Sequence, residues 1–153
     1  GLSITDKKDH IDSYIKIFHK NKETVSNLKF KSIANGYSKN ILFAKAIIEK
    51  FSSNSQAYQK NNNLMLSSKS TIHSNPQLEI YNNDVQCSHG STTGELDDDA
   101  IYYMQTRGIN KTDAKKLLLE GFSDEIINSI SLPDVREYYK NRIEKYFKYD
   151  TKY

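Results

Sequence analysis

The first ninety or so residues alternate between short hydrophobic runs and clusters of Asn, Gly, Ser and Lys. The runs predict strands at His10–Phe18, Leu28–Ala34, Asn40–Ile48, Leu64–Leu66, Ser70–His73 and Leu78–Tyr81. Asn40–Ile48 is almost continuously apolar, which favours a strand buried on both faces. Between the runs, turns are predicted at Asn35–Gly36, Ser52–Ser55, Asn61–Asn63, Asn75–Pro76 and Asn82–Asn83.

Strands this short and frequent, with no helical period between them, exclude a βαβ arrangement. A sandwich and a parallel β-helix both remain open. Asparagine at the corners favours the β-helix, because Asn tolerates the left-handed backbone conformation of tight bends and stacks in ladders. The spacing of the strands is too irregular to define a fixed repeat.

After Gly94 the hydrophobic positions recur every three or four residues, which predicts four short helices. They are expected from Asp97 to Arg107–Gly108, from Asn110 or Thr112 to Gly121, after a Ser123 cap, and from Pro133 onward. The chain is therefore predicted to be mainly β with α. Residues 1–93 are predicted to form a β-helix core, and residues 94–153 are predicted to form a small C-terminal helical domain.

Composition and charge narrow the function classes. The 153 residues are 37% hydrophobic, below the ~45–50% of ordinary domains, and this polarity suits stacked repeats that bury one another. The net charge of +3 comes from interspersed groups, with Asp97–Asp99 set against Lys115–Lys116, so no basic stripe indicates nucleic acid.

The chain has one cysteine, Cys87, so no internal disulfide forms, which fits a reducing, cytoplasmic compartment. No apolar run approaches the ~20 residues that span a bilayer, so no membrane association is expected. The chain begins with Gly1 in place of Met, and Leu2–Thr5 already has a strand pattern. We therefore expect a C-terminal piece of a longer protein, truncated on the N-terminal side of the β-helix.

The most unusual stretch is Asn83–Gly90, which contains Cys87 and His89. On a strand these two side chains share one face, with Cα atoms ~7 Å apart, and they are able to meet at a metal or cluster. They supply at most two of the usual four ligands, so the remainder must come from another chain. The alternative is ordinary packing, with a buried thiol and an imidazole bonded to a neighbouring carbonyl.

Other candidates for chemistry are weaker. His10, His19 and His73 show no ligand spacing, and Glu79 is predicted to face away from the core of its strand. No phosphate loop, Ser–His–Asp order or Cys-x-x-Cys occurs, so no catalytic set is found and no enzyme activity is expected.

Several motifs resemble the SufB/SufD family of iron–sulfur cluster assembly proteins. They are Pro76-Gln-Leu-Glu-Ile-Tyr81, Asp84-Val-Gln-Cys-Ser-His-Gly-Ser-Thr-Thr-Gly-Glu-Leu-Asp97, Ile101-Tyr-Tyr-Met104, Thr106-Arg-Gly-Ile109 and Gly121-Phe122. Within the family the sequence is similar to the SufD branch. The SufB branch has Glu directly after the histidine, where this chain has Gly90, and a further cysteine upstream, where this chain has none.

The resemblance implies a right-handed parallel β-helix with a helical domain behind it, acting as a non-catalytic scaffold. It implies pairing with a SufB-like paralogue and docking of a SufC-like ABC ATPase. A nascent iron–sulfur cluster is expected at the interface, with His89 and, less strongly, Cys87 contributing from this chain. No tightly bound cofactor is expected in the isolated chain. The expected ATPase-docking residues are Tyr102, Tyr103, Arg107, Phe122 and Tyr139.

Two other function classes are considered. A carbohydrate-binding or surface β-helix requires a row of exposed aromatic or acidic residues along one sheet, which the strand pattern does not reveal. An independent metalloprotein requires more ligands than Cys87 and His89 provide.

Overall fold

The computed structural model describes residues 1–149, in two compact units: one holds Ser3–Gly94 and the other begins at Glu95. The described residues of the first unit form seven strands: β1 (Leu2–Thr5), β2 (His10–His19), β3 (Val25–Ala34), β4 (Lys39–Ile48), β5 (Ser55–Met65), β6 (Thr71–Ile80) and β7 (Val85–Gly94). Those of the second form three helices: α1 (Asp98–Thr106), α2 (Lys111–Ile127) and α3 (Pro133–Tyr149).

Successive strands alternate between two sheets, ordered β1-β3-β5-β7 and β2-β4-β6. The pairs β2/β4, β4/β6, β3/β5 and β5/β7 are all parallel. His10 pairs with Lys39, 29 positions later, and Lys39 pairs with Thr71, 32 positions later. This is a β-solenoid of roughly three turns, as predicted, and its uneven coil length explains why no fixed repeat is visible in the sequence. Its right-handed sense stays a prediction.

The interior of the solenoid is filled by alternate residues of each strand. One cluster joins Phe30, Leu42 and Ala44. A second joins Ala46, Ile48 and Ala57, with partly buried side chains packed around it: Ile17, Leu78, Val85 and Cys87. These clusters bury the hydrophobic side of the period-two pattern, and burial of this kind contributes about 25 cal/mol per Å² of apolar surface.

Two predicted turns are wrong. Asn61–Asn63 lies inside β5, and Asn75–Pro76 lies inside β6. The Asn61 and Asn63 side chains are buried: Asn61 donates a hydrogen bond across the coil to Ser74 of β6, and Asn63 donates to the carbonyl oxygen of Thr92 on the neighbouring strand β7. These asparagines therefore occupy interior positions and not corners. Pro76 is tolerated because β6 is the edge strand of its sheet, where the missing N–H need not serve a neighbour on both sides.

The prediction that β4 is buried on both faces is also wrong. Asn40, Leu42, Ala44, Ala46 and Ile48 are buried, but the alternate residues are only half-buried. On that outer face Tyr14 of β2 stacks on Phe43 at 4.8 Å between ring centroids. Glu79 lies on the same outer face, as predicted, but it forms an ion pair with Lys45, and this raises the pKa of the lysine.

The predicted ends of the first helix are confirmed. The Asp97 carboxylate accepts hydrogen bonds from the backbone N–H groups of Asp99 and Ala100, and Gly108 follows the helix with a φ of 87°. Asn110, one of two predicted caps, accepts from the N–H of Asp113 at the start of α2. Pro133 opens α3 as predicted.

The predicted break at Gly121 is wrong, because α2 runs without interruption from Lys111 to Ile127. The expected second and third helices are therefore one, and the described residues contain three helices where four were predicted. Ser123 does not cap a helix: its hydroxyl donates to the carbonyl of Leu119, one turn earlier in the same helix. A serine whose hydroxyl donates to a carbonyl of its own helix does not mark the start or the end of a helix.

The substitution Gly121→Ala is expected to raise the free energy of unfolding by about 0.5–1 kcal/mol, because alanine has less backbone entropy to lose in a helix. A Cβ at Gly121 would meet no atom within 4 Å. Urea unfolding of the two proteins measures the difference. The control is Gly36→Ala, which should destabilise, since Gly36 has φ +61° and its Cβ would lie 2.9 Å from the Lys7 nitrogen. A lower midpoint for Gly121→Ala would contradict the continuous helix.

Candidate functional site

The candidate site lies on β7, the edge strand of the four-stranded sheet. Cys87 is in register with Ala57 of β5 and packs beside the cluster formed by Ala46, Ile48 and Ala57. Its thiol is a free, half-buried group. Burial raises the pKa of the Cys87 thiol, and a backbone hydrogen bond at Ala57 acts weakly in the opposite direction. The thiol therefore packs into the solenoid interior, where burial disfavours its charged thiolate form.

His89 lies two residues after Cys87 on the same strand, so its Cα is ~7 Å away and its side chain is on the same face. The two residues differ in exposure: Cys87 is half-buried, whereas His89 is exposed. In register beside His89 on β5 is Gln59, a buried residue. The imidazole thus stands at the edge of the sheet, with protein on one side and an accessible ring on the other.

The coil interior next to this edge is polar. Asn61 donates to the hydroxyl of Ser74, which also accepts a 2.8 Å hydrogen bond from Ser91 of β7. In the preceding coil the register positions of Gln59 and Asn61 are filled by Leu28 and Phe30. At these two register positions the interior therefore changes from apolar on β3 to polar on β5, next to the part of β7 that carries His89.

No group of three or more His, Cys, Asp or Glu side chains able to hold a metal ion occurs among residues 1–149. Cys87 and His89 together provide two ligands, where iron–sulfur clusters commonly take four. A cluster at this edge needs further ligands from outside the described chain.

A sequence comparison identifies the family. The profile described as "SUF system FeS cluster assembly, SufBD core domain" matches residues 1–122. The chain belongs to the SufBD family. The match includes all seven strands, the Cys87–His89 motif and the helical segment up to Phe122.

Relatives of this SufBD chain have similar descriptions. A SufBD family iron–sulfur cluster assembly protein of Synechocystis is 32% identical over 136 residues, covering 89% of this chain and 30% of the relative. The iron–sulfur cluster assembly protein SufD of Escherichia coli is 43% identical over 70 residues, covering 46% of this chain and 16% of the relative. SufD of Plasmodium falciparum is 27% identical over 155 residues, covering 100% of this chain and 10% of the relative. The chain thus spans less than a third of each of these relatives.

The predicted docking residues of this SufBD chain lie on its helices. Tyr102 and Tyr103 are 70% and 60% exposed on α1. Arg107 lies over the Tyr103 ring, 5.3 Å from its centroid, and donates to the Tyr103 hydroxyl at 3.1 Å. Tyr139 on α3 is exposed beside Tyr138, and Phe122 on α2 is half-buried. The tyrosines therefore do not belong to the core of the helical unit.

The strand region of the SufBD chain also exposes aromatic side chains that the sequence pattern did not reveal as a row. Tyr14 and Phe18 are 62% and 52% exposed on the outer face of β2, and Lys16 and Lys20 lie over their respective rings. The family match favours cluster assembly over carbohydrate binding for this chain.

Among residues 1–149, no helix combines the length and apolarity needed to cross a lipid bilayer.

The sequence analysis missed two features of the interior. His19 is 2% exposed, and its two ring nitrogens each lie 2.7 Å from a hydroxyl, those of Thr24 and Ser26. This histidine is part of the packing of the β2–β3 connection. The second feature is the row Gln59, Asn61 and Asn63, whose spacing of two residues places three amides on one face of a strand. That spacing was visible in the sequence.

Proposed function

We propose that this chain is part of a SufD-like scaffold subunit in an iron–sulfur cluster assembly complex. The observation that carries the proposal is the contrast on β7 between an exposed His89 and a half-buried Cys87, within a chain of the SufBD family. The exposed imidazole is available to a second protein, whereas the thiol packs against the apolar cluster around Ala57. His89 is therefore the stronger candidate ligand and Cys87 the weaker one.

In this proposal the partner that completes the site is a SufB-like paralogue, and the nascent cluster is cargo shared between the two scaffolds. The chain itself catalyses no reaction. The requirement for outside ligands supports this arrangement, since residues 1–149 contain no group of three candidate metal ligands. The single cysteine fits the reducing conditions of the cytoplasm.

We further propose that the helical domain predicted for residues 94–153, of which 150–153 lie outside the described residues, docks a SufC-like ABC ATPase, while residues 1–93 form the β-helix core. The exposed Tyr102 and Tyr103, with Arg107 over the latter ring, support a protein-binding role, because aromatic residues and arginine are enriched where proteins meet. Nucleotide-driven association of two ATPase subunits would move the docked domains and open the site near His89 to iron and sulfide. Such coupling requires a two-state element that the nucleotide biases.

The test is anaerobic co-expression of the full-length protein that carries this chain with a SufB-type paralogue and a SufC-type ATPase. The three proteins are expected to copurify, and the complex is expected to develop the visible charge-transfer absorption of an iron–sulfur cluster when ferrous iron and sulfide are added. A protein that purifies without the paralogue and the ATPase, or that binds specifically to a glycan array, would contradict the proposal.

A further inference from the structure

Three buried amide oxygens of β5 have no hydrogen-bond donor within the described part of the chain. They belong to Gln59, Asn61 and Asn63, which are 5%, 4% and 3% exposed and point into the solenoid. A buried carbonyl oxygen without a donor destabilises a protein, so native structures nearly always supply one. Each of these oxygens is therefore able to accept a hydrogen bond from a neighbouring group or from water.

Gln59 is the amide that lies next to the candidate ligand. It is in register with His89, on a neighbouring parallel strand about 4.8 Å away, and both side chains are on the interior face. The Nε2 of Gln59 donates to the carbonyl oxygen of Gln77 at 3.1 Å, which fixes the amide from one end. Its Oε1 has no donor among the described residues, and the residue in register with Gln59 on β7 carries an imidazole.

The other two amides have hydroxyl side chains as their register partners. Asn61 is in register with Ser91, which donates to Ser74. Asn63 is in register with Thr93 and donates to its hydroxyl oxygen at 3.3 Å. Gln59 is thus the one amide of this row whose register partner is an imidazole.

The solenoid does not require an amide at this position, because Leu28 fills the equivalent register position on β3. A histidine that binds a metal through one ring nitrogen almost always donates its other N–H to a carbonyl, a carboxylate or water, and this fixes the tautomer and the ring orientation. We propose that Gln59 is the positioning residue for His89. Its Oε1 accepts one ring N–H and leaves the other ring nitrogen for the metal. This inference rests on the proposed function of His89.

Divalent copper is the probe, added to the full-length protein in complex with its SufB-type partner. Pulsed EPR detects the remote ring nitrogen of a copper-bound imidazole, and its quadrupole coupling responds to the hydrogen bond of that nitrogen. In the wild-type complex this signal is expected and should disappear in His89→Ala. In Gln59→Leu the quadrupole coupling should shift and the copper affinity should fall about tenfold, while the thermal midpoint stays the same.

Two further variants separate a positioning role from a packing role. Asn61→Leu removes an equally buried amide that lies beside Ser91, and it should leave the copper signal unchanged. Gln59→Met keeps the length of the side chain without an amide oxygen, and it should reproduce the effect of Gln59→Leu even if leucine packs poorly. An unchanged remote-nitrogen coupling in both Gln59 variants would overturn the positioning role and leave His89 as a ligand. A signal that survives in His89→Ala would instead overturn the ligand role itself.

Discussion

Replacing His89 with alanine is expected to reduce the yield of iron–sulfur cluster on the assembled complex by roughly tenfold or more. Losing only an outer hydrogen-bond partner of a metal ligand commonly lowers metal affinity by about 10–100-fold, and losing the ligand itself should have at least that effect. The imidazole is exposed at the edge of its sheet, so its removal leaves no cavity in the core. The measurement is anaerobic reconstitution followed by iron and sulfide analysis per complex.

The control for His89→Ala is His73→Ala, which removes another exposed imidazole, on the outer face of β6. This variant should assemble cluster at the wild-type level, with the same thermal midpoint. Cys87→Ala distinguishes the two candidate ligands on β7, because it removes the thiol and keeps a small apolar residue beside Ala57. Wild-type cluster yield in His89→Ala would show that the imidazole is not a ligand.

The period-two pattern predicted strands but left a sandwich and a parallel β-helix both open, and it did not give the length of the strands. Asn61 and Asn63 have the composition of a turn, and only β6 and β7 supply the hydroxyl and carbonyl oxygens that accept hydrogen bonds from their amide nitrogens in the interior. Gly121 illustrates the same limit in the helical unit. A glycine within a helix and a glycine after a helix look alike in sequence, and packing decides between them.

For the candidate site, the shared face of Cys87 and His89 followed directly from their spacing of two residues. The difference in exposure between Cys87 and His89 could not be predicted from this spacing, because it depends on the neighbours that each residue meets on other strands. Gln59 lies thirty positions before His89, and the register that joins them depends on coil lengths that vary around the solenoid. The sequence of one chain therefore identified the ligand candidates but not the group beside them.

Ala57→Asp is expected to lower the free energy of unfolding by about 4 kcal/mol or more, a large part of the 5–15 kcal/mol that stabilises a typical domain. Ala57 is 0% exposed and lies between Ser26 and Cys87 in the register of its sheet. The cluster around it, which includes Ala46 and Ile48, offers no cation to a carboxylate. Equilibrium unfolding in urea, monitored by circular dichroism on the purified protein, measures the change.

The loss caused by Ala57→Asp should also depend on pH, because burial would raise the pKa of the new carboxyl group in the folded state. A group with a raised folded pKa binds more protons when folded, so its contribution to stability falls as the pH rises above the unfolded value of about 3.9. The deficit relative to wild type should therefore be smaller at pH 5 than at pH 7.5. Lys60→Asp, an exposed position on the same strand, should change stability by no more than about 0.5 kcal/mol at either pH. Equal effects of the two substitutions would mean that Ala57 does not face a closed core, and the interior position assigned to Cys87 beside it would then be wrong as well.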